Sequence, residues 1–282
     1  MNETRIIFTR FRECSGEMVN DIFAIDPDGQ HEEQLTVNPG ANGVISDSAA
    51  PRYNKDGSML AYISTKNNEN KRYNIFFMKL ADKKTAQVTF GDLDISSVDW
   101  SPDDSALVFT SKNSKGIQQI QKVNLDGSGL TELTDGKEEC TAAMWSPAGG
   151  QIAFTRFAED GKTSHIWIMD VEGKNPVKLT SDETFHSNPS WSPDGSWLVF
   201  QRDLKIPHLR MINVHTREIV VFAAPEAGAD MAPVWSGNGI VFSSNRDCEN
   251  ADRVYNLYWM SENGEHVQRI TRNDTFEYGG DW

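Results

Sequence analysis

The motif Trp-Ser-Pro-Asp-Gly, in complete or altered copies, recurs along the chain at a nearly constant spacing. Successive copies lie 44 to 47 residues apart, which is the length of one β-propeller blade. Because the aromatic residue that begins each copy recurs in every repeat, we expect these residues to pack between blades rather than to bind a ligand. These anchor residues are Tyr53, Trp100, Trp145, Trp191, Trp235 and Trp282.

The fourth repeat shows how one copy is organised. A polar loop leads into a first strand that ends at the anchor Trp191, and Ser192 to Gly195 then form a turn. Proline presets φ in this turn, aspartate bonds its own backbone and glycine tolerates positive φ. Hydrophobic segments at Trp197 to Phe200, Leu209 to Val214 and Arg217 to Val221 predict three further strands. Four strands make one blade.

The sixth repeat is divided between the two ends of the chain. Glu277 to Trp282 match only a first strand, while Arg5 to Thr9, Asp21 to Asp26 and Gln30 to Thr36 match the other three. Pairing of the C-terminal strand with three N-terminal strands would close the ring and remove its exposed edges. The sequence therefore predicts an all-β, six-bladed β-propeller, with four antiparallel strands per blade, as a single domain over residues 1–282.

The repeat pattern resembles that of the TolB family of β-propellers. The pattern combines x-P-x-W-S-P-D-G, I-A-F, I-W-[VIM]-M-D and L-T, and Asn188 to Phe200 and His165 to Thr180 carry it most completely. This resemblance covers the whole chain and is specific for the fold. It is weakly specific for function, because propellers of this kind include scaffolds, peptide binders, gates on peptidases and some polysaccharide lyases.

The charge of the chain limits its partners. Asp and Glu number 41 against 27 Lys and Arg, for a formal net charge of -14. This balance disfavours nucleic acids and anionic membranes and favours basic or cationic partners. No apolar run approaches the ~20 residues of a transmembrane helix, and we expect a monomer.

The cellular compartment is open at this stage. Met1 to Thr4 show no signal-peptide pattern, so the sequence as written predicts a cytoplasmic location. The TolB resemblance implies the periplasm if a leader has been removed.

Three cysteines, Cys14, Cys140 and Cys248, are present. Cys14 and Cys248 fall in equivalent loops of neighbouring blades, which usually lie too far apart for a disulfide, so we expect free thiols.

Alignment of the repeats places acidic residues at one end of the ring. The loops that enter the innermost strands and the loops that join the second and third strands emerge on the same face, here called the mouth. A carboxylate occurs five or six residues before the anchor in five of the six repeats. Such a ring can hold a divalent cation or receive a basic peptide segment. The predicted ligand-binding residues in this set are Asp47, Asp94, Glu139, His186, Asp230 and Glu277.

Basic residues follow the aromatic residue of the second strand. Arg10, Arg156 and Arg202 lie two positions after it, and Lys66, Lys112 and Arg246 lie slightly further along. One interpretation is that acids and bases neutralise each other between blades. The other is an anion clamp, in which arginines bind ligand carboxylates. Arg156 and Arg202 are included among the predicted mouth residues.

Histidines provide an enzymatic alternative. His165, His186 and His208 can face one sector of the mouth, and the related polysaccharide lyases use histidines to hold a metal. The third-strand position of His165 and His208, however, takes Asp, Asn or Gln in the other repeats, which favours a structural role.

The sequence thus favours a non-enzymatic module that binds a peptide or protein at the mouth. No G-x-S-x-G, H-E-x-x-H or phosphate-binding loop occurs, so no catalytic residue is assigned. The alternative is a carbohydrate-active enzyme, similar to oligogalacturonate lyase, with a metal near His186. No cofactor is expected under the first hypothesis, although a divalent cation at the mouth stays open.

Overall fold

In the part of the chain that the structure describes, every regular element is a β-strand. The computed structural model describes residues 5–37, 45–203, 205–223, 228–237, 239–247 and 254–281. In these ranges the strands form six antiparallel sheets of four, which confirms the predicted six-bladed β-propeller. None of the described segments forms a helix that is long and apolar enough to cross a membrane.

The blades follow the chain in order, except for the one that closes the ring. Blade 6 consists of β1 (Ile6–Cys14), β2 (Glu17–Ile25), β3 (Glu33–Gln34) and β24 (Phe276–Asp281). Blades 1 and 2 consist of β4 (Ser48–Tyr53), β5 (Met59–Ser64), β6 (Asn74–Lys79), β7 (Lys84–Gln87), β8 (Ser97–Trp100), β9 (Ala106–Lys112), β10 (Gln118–Asn124) and β11 (Thr131–Glu132). Blades 3 and 4 consist of β12 (Cys140–Trp145), β13 (Gln151–Phe157), β14 (Ser164–Asp170), β15 (Val177–Lys178), β16 (His186–Trp191), β17 (Trp197–Arg202), β18 (His208–Asn213) and β19 (Ile219–Val221). Blade 5 consists of β20 (Asp230–Ser236), β21 (Gly239–Ser244), β22 (Asn256–Ser261) and β23 (Val267–Arg269).

Closure of the ring takes the predicted form. β24 pairs with β1 in antiparallel register, with Tyr278 opposite Thr9 and Phe276 opposite Phe11. Trp282, the predicted sixth anchor, lies outside the described residues. The predicted bounds of the first two N-terminal strands were too short, because β1 and β2 continue to a two-residue turn at Ser15 and Gly16.

Hydrophobic clusters fill the spaces between neighbouring blades all around the described ring. Each cluster combines strands from two adjacent blades, so the blades are held together mainly by apolar packing. The aromatic residues of the second strands lie at the centre of this packing and are at most 2% exposed. They are Phe8, Tyr62, Phe109, Phe154, Phe200 and Phe242.

The anchors also pack between blades, in two alternating ways. Trp100 and Trp191 are 5% exposed, and their indole N–H groups donate to the Arg52 and Met144 carbonyls of the preceding blade at 3.0 and 3.2 Å. In the alternate junctions the backbone N–H of the anchor donates to a side chain of the preceding blade. These three pairs are Tyr53 to Asp281 at 2.8 Å, Trp145 to Asp99 at 2.7 Å and Trp235 to Ser190 at 3.0 Å.

The described cysteines are free and buried. Burial raises the pKa of the Cys140 thiol to about 12, and the absence of a bridge between Cys14 and Cys248 stays a prediction. Cys248 lies outside the described residues.

Candidate functional site at the channel mouth

The strand register brings the predicted acids and bases to one end of the ring. The start of each inner strand lies opposite the end of the second strand: Glu277 pairs with Arg10, and His186 pairs with Arg202. The same end of the ring therefore holds all the predicted mouth residues.

Glu277 and Arg10 form a buried ion pair in blade 6. Arg10 Nε donates to Glu277 Oε1 at 2.7 Å, and the Arg10 Nη atoms donate to the Glu32 carboxylate at 2.6 and 2.5 Å. Burial raises the pKa of Glu277, although Arg10 opposes this shift. Because the Glu277 side chain is fully buried, it is part of the packing rather than of the exposed mouth.

Asp230 and Asp94 are also neutralised within the chain. Arg246 Nη2 contacts both Asp230 carboxylate oxygens at 2.8 Å, and Asp230 is only 4% exposed. Lys112 Nζ and Arg72 Nη1 contact Asp94 at 2.9 and 3.0 Å, and these cations, Lys112 foremost, lower the pKa of Asp94. Asp94 lines an open cleft of about 640 Å³ between blades 1 and 2.

The two predicted clamp arginines bind carboxylates that the alignment did not select. Arg156 pairs with Glu138 rather than Glu139, and its guanidinium lies 5.1 Å from the Trp167 ring centroid. Arg202 Nε and Nη2 donate to Asp182 Oδ2 at 3.1 and 3.0 Å. Acids and bases therefore neutralise each other mainly within a blade or its entering loop, not between blades as predicted.

His186 is held from both sides. Its Nδ1 lies 3.2 Å from the Ser164 carbonyl oxygen, and its Nε2 lies 2.8 Å from Asp182 Oδ1. Burial lowers the pKa of His186, and burial also lowers the pKa of the neighbouring His165 to about 4. Among the described residues, no group of three or more His, Cys, Asp or Glu side chains is arranged to hold a metal. The contacts of His186 therefore favour a structural role.

Asp47 and Glu139 differ from the other predicted carboxylates, because no cation in the described part of the chain forms an ion pair with either. Asp47 Oδ1 accepts the backbone N–H of Asn20 at 2.7 Å and is partly accessible. Glu139 is exposed. Among the basic residues predicted at the mouth, the exposed Lys66 likewise has no carboxylate partner in the described ranges.

Aromatic residues at the mouth were missed by the sequence reasoning. The Tyr255 and Phe276 rings lie 4.9 Å apart, and the Phe276 and Tyr278 rings lie 5.5 Å apart. The predicted mouth residues are charged residues and a histidine, whereas an aromatic residue on either side of Glu277 is the sequence signal for this group.

Comparisons with known proteins agree with the observed fold. No protein-family model matches the chain. The uncharacterized peptidase YuxL of Bacillus subtilis is 25% identical over 191 residues, which are 55% of this chain and 29% of that protein. The Tol-Pal system protein TolB of Desulfosudis oleivorans is 27% identical over 124 residues, 44% of this chain and 27% of TolB. The chain thus matches less than a third of either relative.

Two solved structures show the same fold. TolB from Acinetobacter baumannii superposes with a TM-score of 0.80 at 18% identity, over 100% of this chain and 67% of that one. An oligogalacturonate lyase in complex with manganese superposes with a TM-score of 0.61 at 18% identity, over 90% of this chain and 71% of that one. The predicted resemblance is confirmed at the level of the fold: this chain is a six-bladed β-propeller that superposes on TolB and is similar in sequence to TolB proteins.

Proposed function

We propose that the channel mouth binds a basic segment of a peptide or protein partner and catalyses no reaction. The balance of unpaired charge carries this proposal. Of the six predicted mouth cations, Arg10, Lys112, Arg156, Arg202 and Arg246 have carboxylate partners within the chain, and only the exposed Lys66 has none in the described ranges. The carboxylates of residues 47 and 139, in contrast, have no cation partner in the described ranges. A basic ligand can therefore add ion pairs without breaking existing ones.

The anion-clamp alternative is less favourable on the same grounds. For Arg156 or Arg202 to bind a sugar carboxylate, each would have to release Glu138 or Asp182. The Glu138 side chain is only 30% exposed, so leaving it without Arg156 costs free energy that the new contact must first offset, whereas the exposed Asp182 pair contributes less. Resemblance of fold to a lyase does not remove this cost, because the same fold serves many functions.

The opposite face of the ring offers less to discriminate a partner. Its turns repeat the same internal contacts, as Ser101 Oγ donates to Asp103 and Ser192 Oγ donates to Asp194, both at 2.6 Å. These hydrogen bonds, with Ser101 and Ser192 foremost, lower the pKa of Asp103 and of Asp194 to about 2. Similarity to a protein of the Tol-Pal system further supports a partner that is itself a protein.

Two double variants test the proposal, because they are expected to affect peptide binding differently. Two probes are tested for binding to the immobilised protein. One is a pool of short peptides randomised among lysine and serine, and the other is oligogalacturonate. Asp47→Asn with Glu139→Gln should weaken lysine-peptide binding about fivefold or more at low salt. Arg156→Gln with Arg202→Gln should preserve or strengthen it, because Glu138 and Asp182 lose their arginine partners.

The contrary outcome is equally specific. The wild type could instead bind oligogalacturonate, with binding lost in the arginine double variant and kept in the acid double variant. That result would contradict the peptide proposal and support saccharide binding. Circular dichroism and melting temperatures of both variants control for folding.

A further inference from the structure

The β1–β2 hairpin of blade 6 is longer than the corresponding hairpins of the other blades. β1 and β2 have nine residues each, whereas the second and third strands elsewhere have six or seven. The extra length lies at the mouth, because the pairing continues from Arg10 and Asp21 to Cys14 and Glu17. The hairpin therefore extends the mouth at one side of the ring.

One face of this extension carries two exposed apolar side chains. Phe11 lies opposite Asn20 and Glu13 lies opposite Met18, so these four side chains share one face of the hairpin. Phe11 is 37% exposed and Met18 is 53% exposed. The described residues leave these two side chains accessible to water. Only a binding partner could therefore bury them.

The apolar face continues onto β24. Phe276 is the register partner of Phe11 and contacts Tyr278 and Tyr255. The Tyr278 hydroxyl donates to Asn20 Oδ1 at 3.1 Å, which fixes the tyrosine against the base of the hairpin. We call the surface formed by Met18, Phe11, Phe276, Tyr278 and Tyr255 the aromatic strip.

Carboxylates border the aromatic strip. Glu13 is exposed on the same face as Met18 and, like Asp47 near Asn20, has no ion-pair partner in the described ranges. Glu17 at the tip of the hairpin contacts Lys71 at 3.3 Å in an exposed pair. An exposed apolar surface with unpaired carboxylates beside it is complementary to an apolar side chain flanked by a cation.

We propose that the aromatic strip binds an extended segment of a partner protein that carries an aromatic or aliphatic side chain next to lysine or arginine. This proposal rests on the proposed function, because it names the residues that select among basic segments. Aromatic anchors in such surfaces give affinity, while the surrounding charges orient the ligand.

The test compares two peptide pools on the intact protein. One pool is randomised among lysine and serine, and the other among lysine, phenylalanine and serine. The wild type should retain the second pool about tenfold more tightly than the first. Phe11→Ser with Met18→Ser should abolish that difference and leave binding of the lysine-serine pool unchanged. Leu130→Ser, at an exposed apolar residue between β10 and β11, is the matched control and should change neither.

The outcomes separate this proposal from the one on which it rests. If the hairpin variant retains the preference for phenylalanine peptides, the aromatic strip is not the selecting surface, although the basic-peptide function stands. If the wild type binds neither pool, both proposals are wrong. Because both substituted side chains are exposed, an unchanged melting temperature is expected and verifies that the variant folds.

Discussion

At the scale of single residues, the mouth consists of charges with partners and charges without them. Arg246 and Asp230 illustrate the first kind, because the carboxylate is 4% exposed and the guanidinium also lies 5.2 Å from the Phe242 ring centroid. Asp47 and Glu139 illustrate the second. The same residue types therefore have different roles in different blades, according to whether a cation of the chain reaches them.

We expect Asp230→Asn to destabilise the protein by about 3 kcal/mol, because it leaves Arg246 partly buried without its counter-charge. Asp82→Asn removes the acid of an exposed pair with Lys84 and is the matched control. Urea unfolding of the two variants measures the difference. Equal stabilities would show that the buried pair is not a stabilising element.

His165 gives a pH dependence with a defined sign. Its folded pKa, about 4, lies below the ordinary value near 6.5, so the unfolded chain binds the extra proton between these values. The stability that His165 contributes is present above about pH 6.5 and is lost toward pH 4, by up to about 1.4 kcal/mol per pH unit. His165→Asn copies the residue of blades 1 and 5 and should reduce this acid sensitivity.

Urea unfolding at about pH 7 and about pH 4.5 checks the prediction. The groups that face His165, namely Lys178, His186 and Asp182, are the same in both proteins, so the comparison isolates its titration. A difference in stability between wild type and variant that is the same at both pH values would contradict the assignment.

At the scale of elements, the inner strands are joined by two alternating kinds of junction. In one kind an indole N–H donates to a carbonyl, and in the other a side chain of the preceding blade accepts the anchor N–H. Asp99 is a titratable member of the second kind, and burial raises its pKa to about 7, with Arg52 opposing the shift and Asp281 adding to it.

Asp99→Asn should therefore gain stability relative to the wild type as the pH rises. The raised folded pKa means that Asp99 contributes stability below about pH 4 and loses it as the pH rises through about 7. Between pH 5 and pH 8 the variant should gain up to about 2–3 kcal/mol, while its amide oxygen still accepts the Trp145 N–H. Ser190→Ala, at the equivalent junction with Trp235, should show no such pH dependence.

Much of the fold could be predicted from the sequence, because turn chemistry and periodic apolar residues repeat with every blade. The ion pairs could not, since Glu138 and Glu139 are adjacent and only side-chain geometry decides which one reaches Arg156. The length of the β1–β2 hairpin was missed for a related reason. Its tip is polar, and the Ser15–Gly16 turn has no proline or aspartate to mark it.

At the scale of the whole molecule, closure depends on one strand. β24 is the inner strand of blade 6 and contacts the inner strands of blades 5 and 1. Its loss would expose the edge of β1 and open the contacts on both sides. The ring therefore needs both ends of the described chain to fold together.

Deleting residues 274–282 should lower the melting temperature markedly and cause aggregation. A circular permutant that joins the two ends by a short linker, with new termini in the exposed loop between β15 and β16, should melt within about 5 °C of the wild type. An unchanged melting temperature in the deletion variant would show that β24 does not close the ring.

The most direct test of the account is a crystal structure of the protein with the tightest-binding lysine-containing peptide. We expect the peptide to lie at the mouth, with a lysine contacting Asp47 or Glu139 and an apolar side chain against Phe11 and Met18. A peptide bound instead on the Ser-Pro-Asp-Gly face would contradict it.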